Sequence, residues 1–297
     1  MELNKALRAG ALLLALCMGA AARGADQIVY PLTGGGVDSR YDYDWDVLRT
    51  ALHKTDARFG VFSMHQYDIP MSPQRVSQEL RTPGGHINIL ARATDPGLEK
   101  DFLPIRLPID RGLLSYRVFL VRADQLPRFA KVRTLDDLRA LRAGQGKDWA
   151  DVPILRAAGL PIVEGRTYDG LFAMLDAGRF DYFSRGVDEA IRELNERHGR
   201  HPQLAIEPTL LLRYPLPLYF FVRRDTEGRR LAKRIEAGLE IMIKDGSLNA
   251  LFDRYKLGVI RQTDLKQRRL IEIPNPELSP QTPLARKELW YNPLTGQ

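Results

Sequence analysis

The sequence predicts an α/β protein, and three observations carry that prediction. Short apolar runs alternate with longer segments of helical periodicity along the chain. Two apolar runs, near 115–122 and 217–223, flank a segment with enough strands and helices for a sheet of its own. The composition, 44% hydrophobic and 27% charged, is that of an ordinary globular chain long enough for two modest domains. The chain is therefore expected to leave one domain, build a second and return to finish the first.

Taken in order, Ile28 to Leu32 reads as the first strand, followed by Gly34-Gly35-Gly36. Tyr41 to Thr55 reads as a helix with Trp45, Leu48 and Leu52 on one side. Phe59 to His65 is a second strand, and Ser72-Pro73 starts a helix because proline suits the first turn. Ile87 to Ala91 and Ser115 to Val121 are further strands. Thr134 to Asp137 opens a short helix in near capping-box form. Ile154 to Ala158 sits in another helix, closed by Gly159. Leu218 to Val222 is a strand, Arg229 to Lys244 a long helix ended by Asp245-Gly246, and Leu248 to Tyr255 a last helix. The proline-rich tail from Ile273 is expected to wrap the surface as a strap. No internal repeat or low-complexity tract interrupts this order.

The N-terminus sets the compartment. Lys5 and Arg8 precede an apolar run from Ala9 to Ala22, with Ala20 and Ala22 in A-x-A spacing. This is a secretory-signal pattern over residues 1–24, too short for a comfortable membrane span. The less favoured alternative is an uncleaved anchor. Cys17 is the sole cysteine, and Leu16 before it is a poor lipoprotein box. Cleavage after Ala22 leaves no cysteine, which excludes disulfides and thiolate chemistry. The net charge is +7, and residues 1–24 carry Lys5, Arg8 and Arg23 against Glu2, so +5 remains on the rest. Basic residues are interleaved with acids rather than gathered into a stripe with stacking aromatics, which argues against nucleic-acid binding.

The stretch from Leu171 to Glu189 is the most informative. Thr167 is a helix N-cap, Leu171, Phe172, Met174 and Leu175 share a face, and Gly178 ends the helix. Phe180 to Phe183 reads as a buried strand, which puts Ser184, Arg185 and Gly186 at its carboxyl end, where open α/β sheets bind ligands. Arg185 is read there as a ligand clamp, the plainer alternative being a solvated charge.

These elements resemble the family 3 extracellular solute-binding proteins. Arg133 to Leu138 resembles the helix that opens the family's second lobe. Leu175 to Asp181 resembles its helix-to-strand turn, Leu218 to Arg223 its return strand, and Asp245 to Lys256 its closing helix. The likeness covers most of the chain after the leader. Gly144 to Trp149 and Phe183 to Gly186 look like a divergent branch. The resemblance implies a two-lobed type II periplasmic binding protein fold whose hinge is made of two crossing segments. It places the first lobe at 26–122 and 223–297 and the second at 123–222. It also implies capture of a small polar, amino-acid-like or anionic solute by lobe closure, delivery to an ABC-type membrane permease, a monomeric periplasmic protein, and no cofactor or metal. Members grip a carboxylate with arginine in a T-x-E-R stretch, whereas here Thr94 to Lys100 is longer and ends in lysine. Members often carry an acid where Arg185 stands, and that reversal favours an anion.

The residues expected to line the ligand are Arg185, Ser184, Arg92, Thr94, Tyr41, Tyr43, Lys147 and Trp149. Arg92 and Thr94 follow the third strand. Tyr41 and Tyr43 follow the glycine loop as an aromatic lid, while Trp45 is read as core. Lys147 and Trp149 precede a helix whose N–H groups suit an anion. For each of these the alternative is packing or surface charge. Gly34 to Gly36 lacks the lysine and hydroxyl of a phosphate loop. Enzyme readings are thin: there is no G-x-S-x-G, no H-E-x-x-H, and the five histidines share no ligand spacing. Sensing through a membrane receptor, or a lyase or dehydratase using the same cleft with an acid such as Glu164 or Asp148, are the other function classes.

Overall fold

In chain order the strands are β1 (Asp26–Tyr30), β2 (Phe62–Gln66), β3 (Ile89–Ala93), β4 (Leu103–Ile105), β5 (Tyr116–Arg122), β6 (Ala143–Gly146), β7 (Ile162–Gly165), β8 (Tyr182–Gly186), β9 (Leu204–Ile206), β10 (Leu210–Arg213), β11 (Leu218–Val222) and β12 (Arg269–Glu272). The principal helices are α1 (Asp42–His53), α2 (Pro73–Arg81), α3 (Asp151–Ala157), α4 (Tyr168–Asp176), α5 (Val187–Arg197), α6 (Thr226–Asp245) and α7 (Ser247–Gln262). The computed structural model describes residues 25–33 and 39–296; the expected leader, Cys17 and the Gly34 to Gly36 run lie outside them. No described helix is long and apolar enough to cross a membrane.

The first lobe carries β1 paired in parallel with β2, and β11 flanked by antiparallel β3 and β4. Asn88 joins the two groups. Its backbone N–H donates to the Val29 carbonyl at 3.0 Å, its Oδ1 accepts from the Val29 N–H at 3.0 Å, and its Nδ2 donates to the Gln27 carbonyl at 2.6 Å. Trp45 packs in this core between Tyr30 and Phe220, as its helical spacing predicts, with ring centroids 4.4 and 6.2 Å away.

The second lobe is one seven-stranded sheet in the order β12-β10-β5-β8-β6-β7, with β9 sharing an edge of β5 with β10. This pairing moves the expected boundaries at 122 and 222. β5 pairs only with second-lobe strands and β11 only with first-lobe strands. The crossings are therefore 106–115 and 214–217. The alternation of β5 explains the shift. Val118 and Leu120 face the core that holds Leu171, Phe172 and Val187, and Phe119 and Val121 face the core that holds Phe129 and Leu155.

The C-terminal segment departs from expectation as well. It does not simply complete the first lobe: β12 pairs in parallel with β10, and Ile271 and Ile273 enter the second-lobe core. The two crossings are pinned together at Ser115, whose carbonyl accepts from the Tyr214 N–H and whose Oγ accepts from the Leu216 N–H, both at 3.1 Å.

Local signals hold where a side chain closes a backbone group. Thr167 Oγ1 accepts from the Gly170 N–H at the start of α4, and Thr134 and Asp137 form a full capping box on the helix at Leu135–Arg139. Gly246 stops α6 with φ of +80°. β8 begins two residues later than expected, because Phe180 packs against the bare backbone of Gly144 before pairing starts.

Candidate binding cleft

Side chains on both lobes meet at two places. Arg40 spans the gap, lying 5.5 Å over the Tyr41 ring and 5.4 Å over the Tyr168 ring of the second lobe. Nearer the crossings, Lys256 of α7 donates to Asp188 of α5 at 2.5 Å.

Arg185 does not stand open. It belongs to β8 itself and is 7% exposed. Its Nε and Nη2 donate to Glu193 at 2.8 and 2.7 Å, and Nη2 lies 2.9 Å from Glu189 Oε1. Its guanidinium lies 4.9 Å from the Trp149 ring and 5.0 Å from Phe183. Burial works against the charge, but Glu189 and Glu193 outweigh it and hold the Arg185 pKa well above its usual value. The Tyr168 hydroxyl also donates to Glu193, at 2.6 Å.

The other face of the sheet repeats the motif. Arg117 Nη2 lies 2.8 Å from Asp151 and Nη1 lies 3.5 Å from Glu189, over the Tyr214 ring. Two buried arginines thus share three carboxylates, and the charge expected to select an anion is cancelled inside the protein.

The remaining second-lobe expectations divide. Ser184 sits opposite Phe119 in the β5–β8 register, on the side of the sheet that faces Phe129 and Leu155 rather than the Trp149 side. Its Oγ and Gln145 Oε1 are buried without a hydrogen-bond partner among the described residues. Trp149 folds back over Gly146, where a Cβ would lie 2.2 Å from the indole, so glycine is required there. The amides expected to receive an anion are engaged: Lys147 N–H donates to the Gly165 carbonyl at 2.9 Å and Trp149 N–H to the Gly146 carbonyl at 3.2 Å. The Lys147 side chain is exposed and forms no ion pair among the described residues.

In the first lobe, Tyr43 is core rather than lid. It is 2% exposed, and its hydroxyl donates to the Ile109 carbonyl at 2.6 Å. Thr94 is committed as well, donating to Glu99 at 2.7 Å, while Glu99 also accepts from Arg106 at 2.7 Å. Tyr41 stays half-buried at the cleft. Arg92 differs from all of these. It donates to Ser77 Oγ at 3.3 Å and to the Pro73 carbonyl at 3.4 Å, with no carboxylate within ion-pair distance among the described residues. Burial lowers its pKa, with Asp95 and Tyr41 near enough to offset part of the effect.

A second group gathers around Lys256 near the crossings. Its Nζ lies 4.8 Å over the Tyr43 ring. Burial pushes the Asp44 carboxyl up to about 7 and the Asp110 carboxyl up to about 6. Asp188 is half-buried, which works against its charge, but Lys256 holds it below the usual carboxylate range. No cluster of metal-ligating side chains occurs among the described residues. Sequence reasoning missed Arg117, Tyr168, Glu189, Glu193 and Lys256. The spacing of Arg185, Glu189 and Glu193, each four apart at a helix start, was a readable signal for a paired arginine.

No protein-family model matches the chain, and no curated protein matches it. Solved structures do. An ancestral arginine-binding protein bound to arginine matches at 17% identity and TM-score 0.54, over 79% of this chain and 99% of that one. A histidine kinase sensor domain with similarity to periplasmic binding proteins matches at 16% identity and TM-score 0.56, over 78% and 97%. The amino acid ABC transporter substrate-binding protein AbpA from Streptococcus pneumoniae, bound to L-arginine, matches at 16% identity and TM-score 0.54, over 77% and 94%. The fold is that of the two-lobed periplasmic binding proteins. The resemblance read from the sequence and the architecture agree on this, while identities this low speak to the fold alone.

Two outcomes follow from the buried charges. Glu193→Ala leaves Arg185 short of its main partner and is expected to cost about 3 kcal/mol in urea unfolding; a loss below about 1 kcal/mol would show that Glu189 suffices. Asp44 titrates near 3.8 when unfolded and near 7 when folded. The folded chain thus holds a proton that the unfolded chain releases, and this contribution is full below pH 3.8 and is lost as pH rises through about 7. Asp44→Asn is expected to flatten the fall in melting temperature across that window and to melt above the parent at pH 8. An unchanged slope would mean Asp44 is ionised in the fold.

Proposed function

We propose that this protein captures a small carboxylate-bearing, amino-acid-like solute between its lobes, without chemistry, and hands it to a membrane importer. The observation that carries the reading is Arg92, a half-buried guanidinium at the carboxyl end of β3 with no carboxylate within ion-pair distance among the described residues. Its planar fork suits a carboxylate, and a half-buried guanidinium held only by neutral acceptors gains from an anionic partner. The anion role expected of Arg185 passes to Arg92, since Arg185 is already neutralised. Tyr41 in the first lobe, and Trp149, Tyr168 and the exposed Lys147 in the second, complete the walls. A solute touching both lobes favours the closed state by its differential contacts. The leader pattern supports export to the periplasm, and a monomer working with a permease is the simplest arrangement.

Sensing is the second reading, favoured by one observation: the fold neighbours include a histidine kinase sensor domain. There the closed form would contact a receptor instead of a permease.

A thermal-shift panel of amino acids, dicarboxylates and phosphorylated metabolites tests capture. At least one carboxylate compound is expected to raise the melting temperature, with stabilisation of about 2.7 kcal/mol at a hundredfold excess over Kd. Arg92→Ala is expected to abolish the shift while leaving the unliganded melt native-like. A shift that survives Arg92→Ala would remove Arg92 from the site.

A further inference from the structure

We propose that residues 274–291 are a latch across the two lobes, holding them at the angle seen, and that the cleft opens fully only when this latch leaves its seat on the first lobe. The segment is fixed at both ends, and of residues 276–288 between them only Thr282 is buried. At its start, β12 is a strand of the second lobe, the Ile273 N–H donates to the Arg213 carbonyl at 3.0 Å, and Arg269 Nη1 donates to the Val132 carbonyl at 2.9 Å. Asn275 Nδ2 then donates to the carbonyl of Pro215, inside the return crossing, at 2.8 Å. The span that follows has no strand or α-helix, and Leu284 stands 49% exposed.

The far end is seated on the first lobe. Leu289 and Tyr291 are 1% and 7% exposed, and the Tyr291 ring lies 4.9 Å from Phe252 of α7. Arg111 sits 5.3 Å from both of those rings. Arg286 also pairs with Glu240 of α6 through both Nη atoms, at 2.6 and 3.0 Å, and this partly exposed pair adds to the buried aromatic seat.

The seat falls on the hinge itself. Arg111 and Gly112, in the first crossing, are consecutive left-handed residues with φ of +53° and +71°. The Tyr291 N–H donates to the Arg111 carbonyl at 2.7 Å. Trp290 lies against Gly112 so closely that a Cβ there would be 2.3 Å from the indole. Asp110 caps the same turn, accepting from the Gly112 and Leu114 N–H groups at 3.0 and 2.7 Å. Hinge motion needs φ and ψ changes in a few residues of the crossings. The tail hydrogen-bonds and covers the very residues of the first crossing that hold the least ordinary backbone angles. A chain with two crossings swings about them, whereas this one adds a third tie that ends on the hinge.

The latch is tested by interlobe distances in the unliganded full chain, with spin labels at Gln74→Cys in the first lobe and Arg166→Cys in the second, both exposed. Trp290→Ala with Tyr291→Ala unseats the latch in place, and truncation after Asn275 removes it while keeping β12. Both are expected to move the distance distribution to longer values, by more than the width of the parent distribution, and to broaden it, with a native far-UV circular dichroism spectrum. Distributions that superimpose on the parent overturn the proposal. Loss of the native spectrum in both variants also overturns it, because the segment would then be part of the core of the fold rather than a latch upon it.

Discussion

Ser115 is the point on which the architecture depends. One residue of the outgoing crossing accepts hydrogen bonds from two amides of the returning one, at Tyr214 and Leu216. Ser115 is 3% exposed, so these amides have no water to turn to. This contact fixes where β5 and β11 diverge into separate sheets, and with it the line along which the lobes face each other. Displacing it would strand polar backbone groups in the core and release both sheets from a common origin.

From that line the charges sort by depth. The second lobe turns its arginines inward: Arg185 and Arg117 lie on opposite faces of one sheet and share Glu189, so the interior is rigid and electrically quiet. The first lobe keeps Arg92 at the strand end with neutral partners only. Between the lobes, Lys256 and Asp188 form a partly buried pair beside Asp44 and Asp110, whose carboxyls burial pushes up to about 7 and about 6.

Much of this was legible in the chain. The alternation of runs foretold two sheets, because strand and helix periods leave different marks. Caps at Thr167 and Thr134 were readable because capping is a local bargain between a side chain and the next turn. β12 was not, since four residues just before a proline-rich tail gain their strand character only from β10. The lobe boundaries slipped by several residues for the same reason: apolar runs show that β5 is covered, not which helices cover it. Tyr43 was taken as a lid from its place after a glycine loop, but its neighbours Trp45 and Val47 already put that stretch on a core-facing helix. Arg185 was nominated by position alone, while Glu189 and Glu193, the partners it takes in the fold, stand four and eight residues on. Arg92 could be nominated but not separated from Arg185, because the lack of a carboxylate within ion-pair distance among the described residues is a fact of three dimensions.

The central claim is that a solute is held by both lobes at once. Its most direct test is a crystal structure with a compound that stabilises the protein. The account predicts a carboxylate on the Arg92 guanidinium, with the rest of the molecule reaching the wall formed by Tyr168 and Trp149. A compound bound to one lobe alone, or bound away from Arg92, would contradict it.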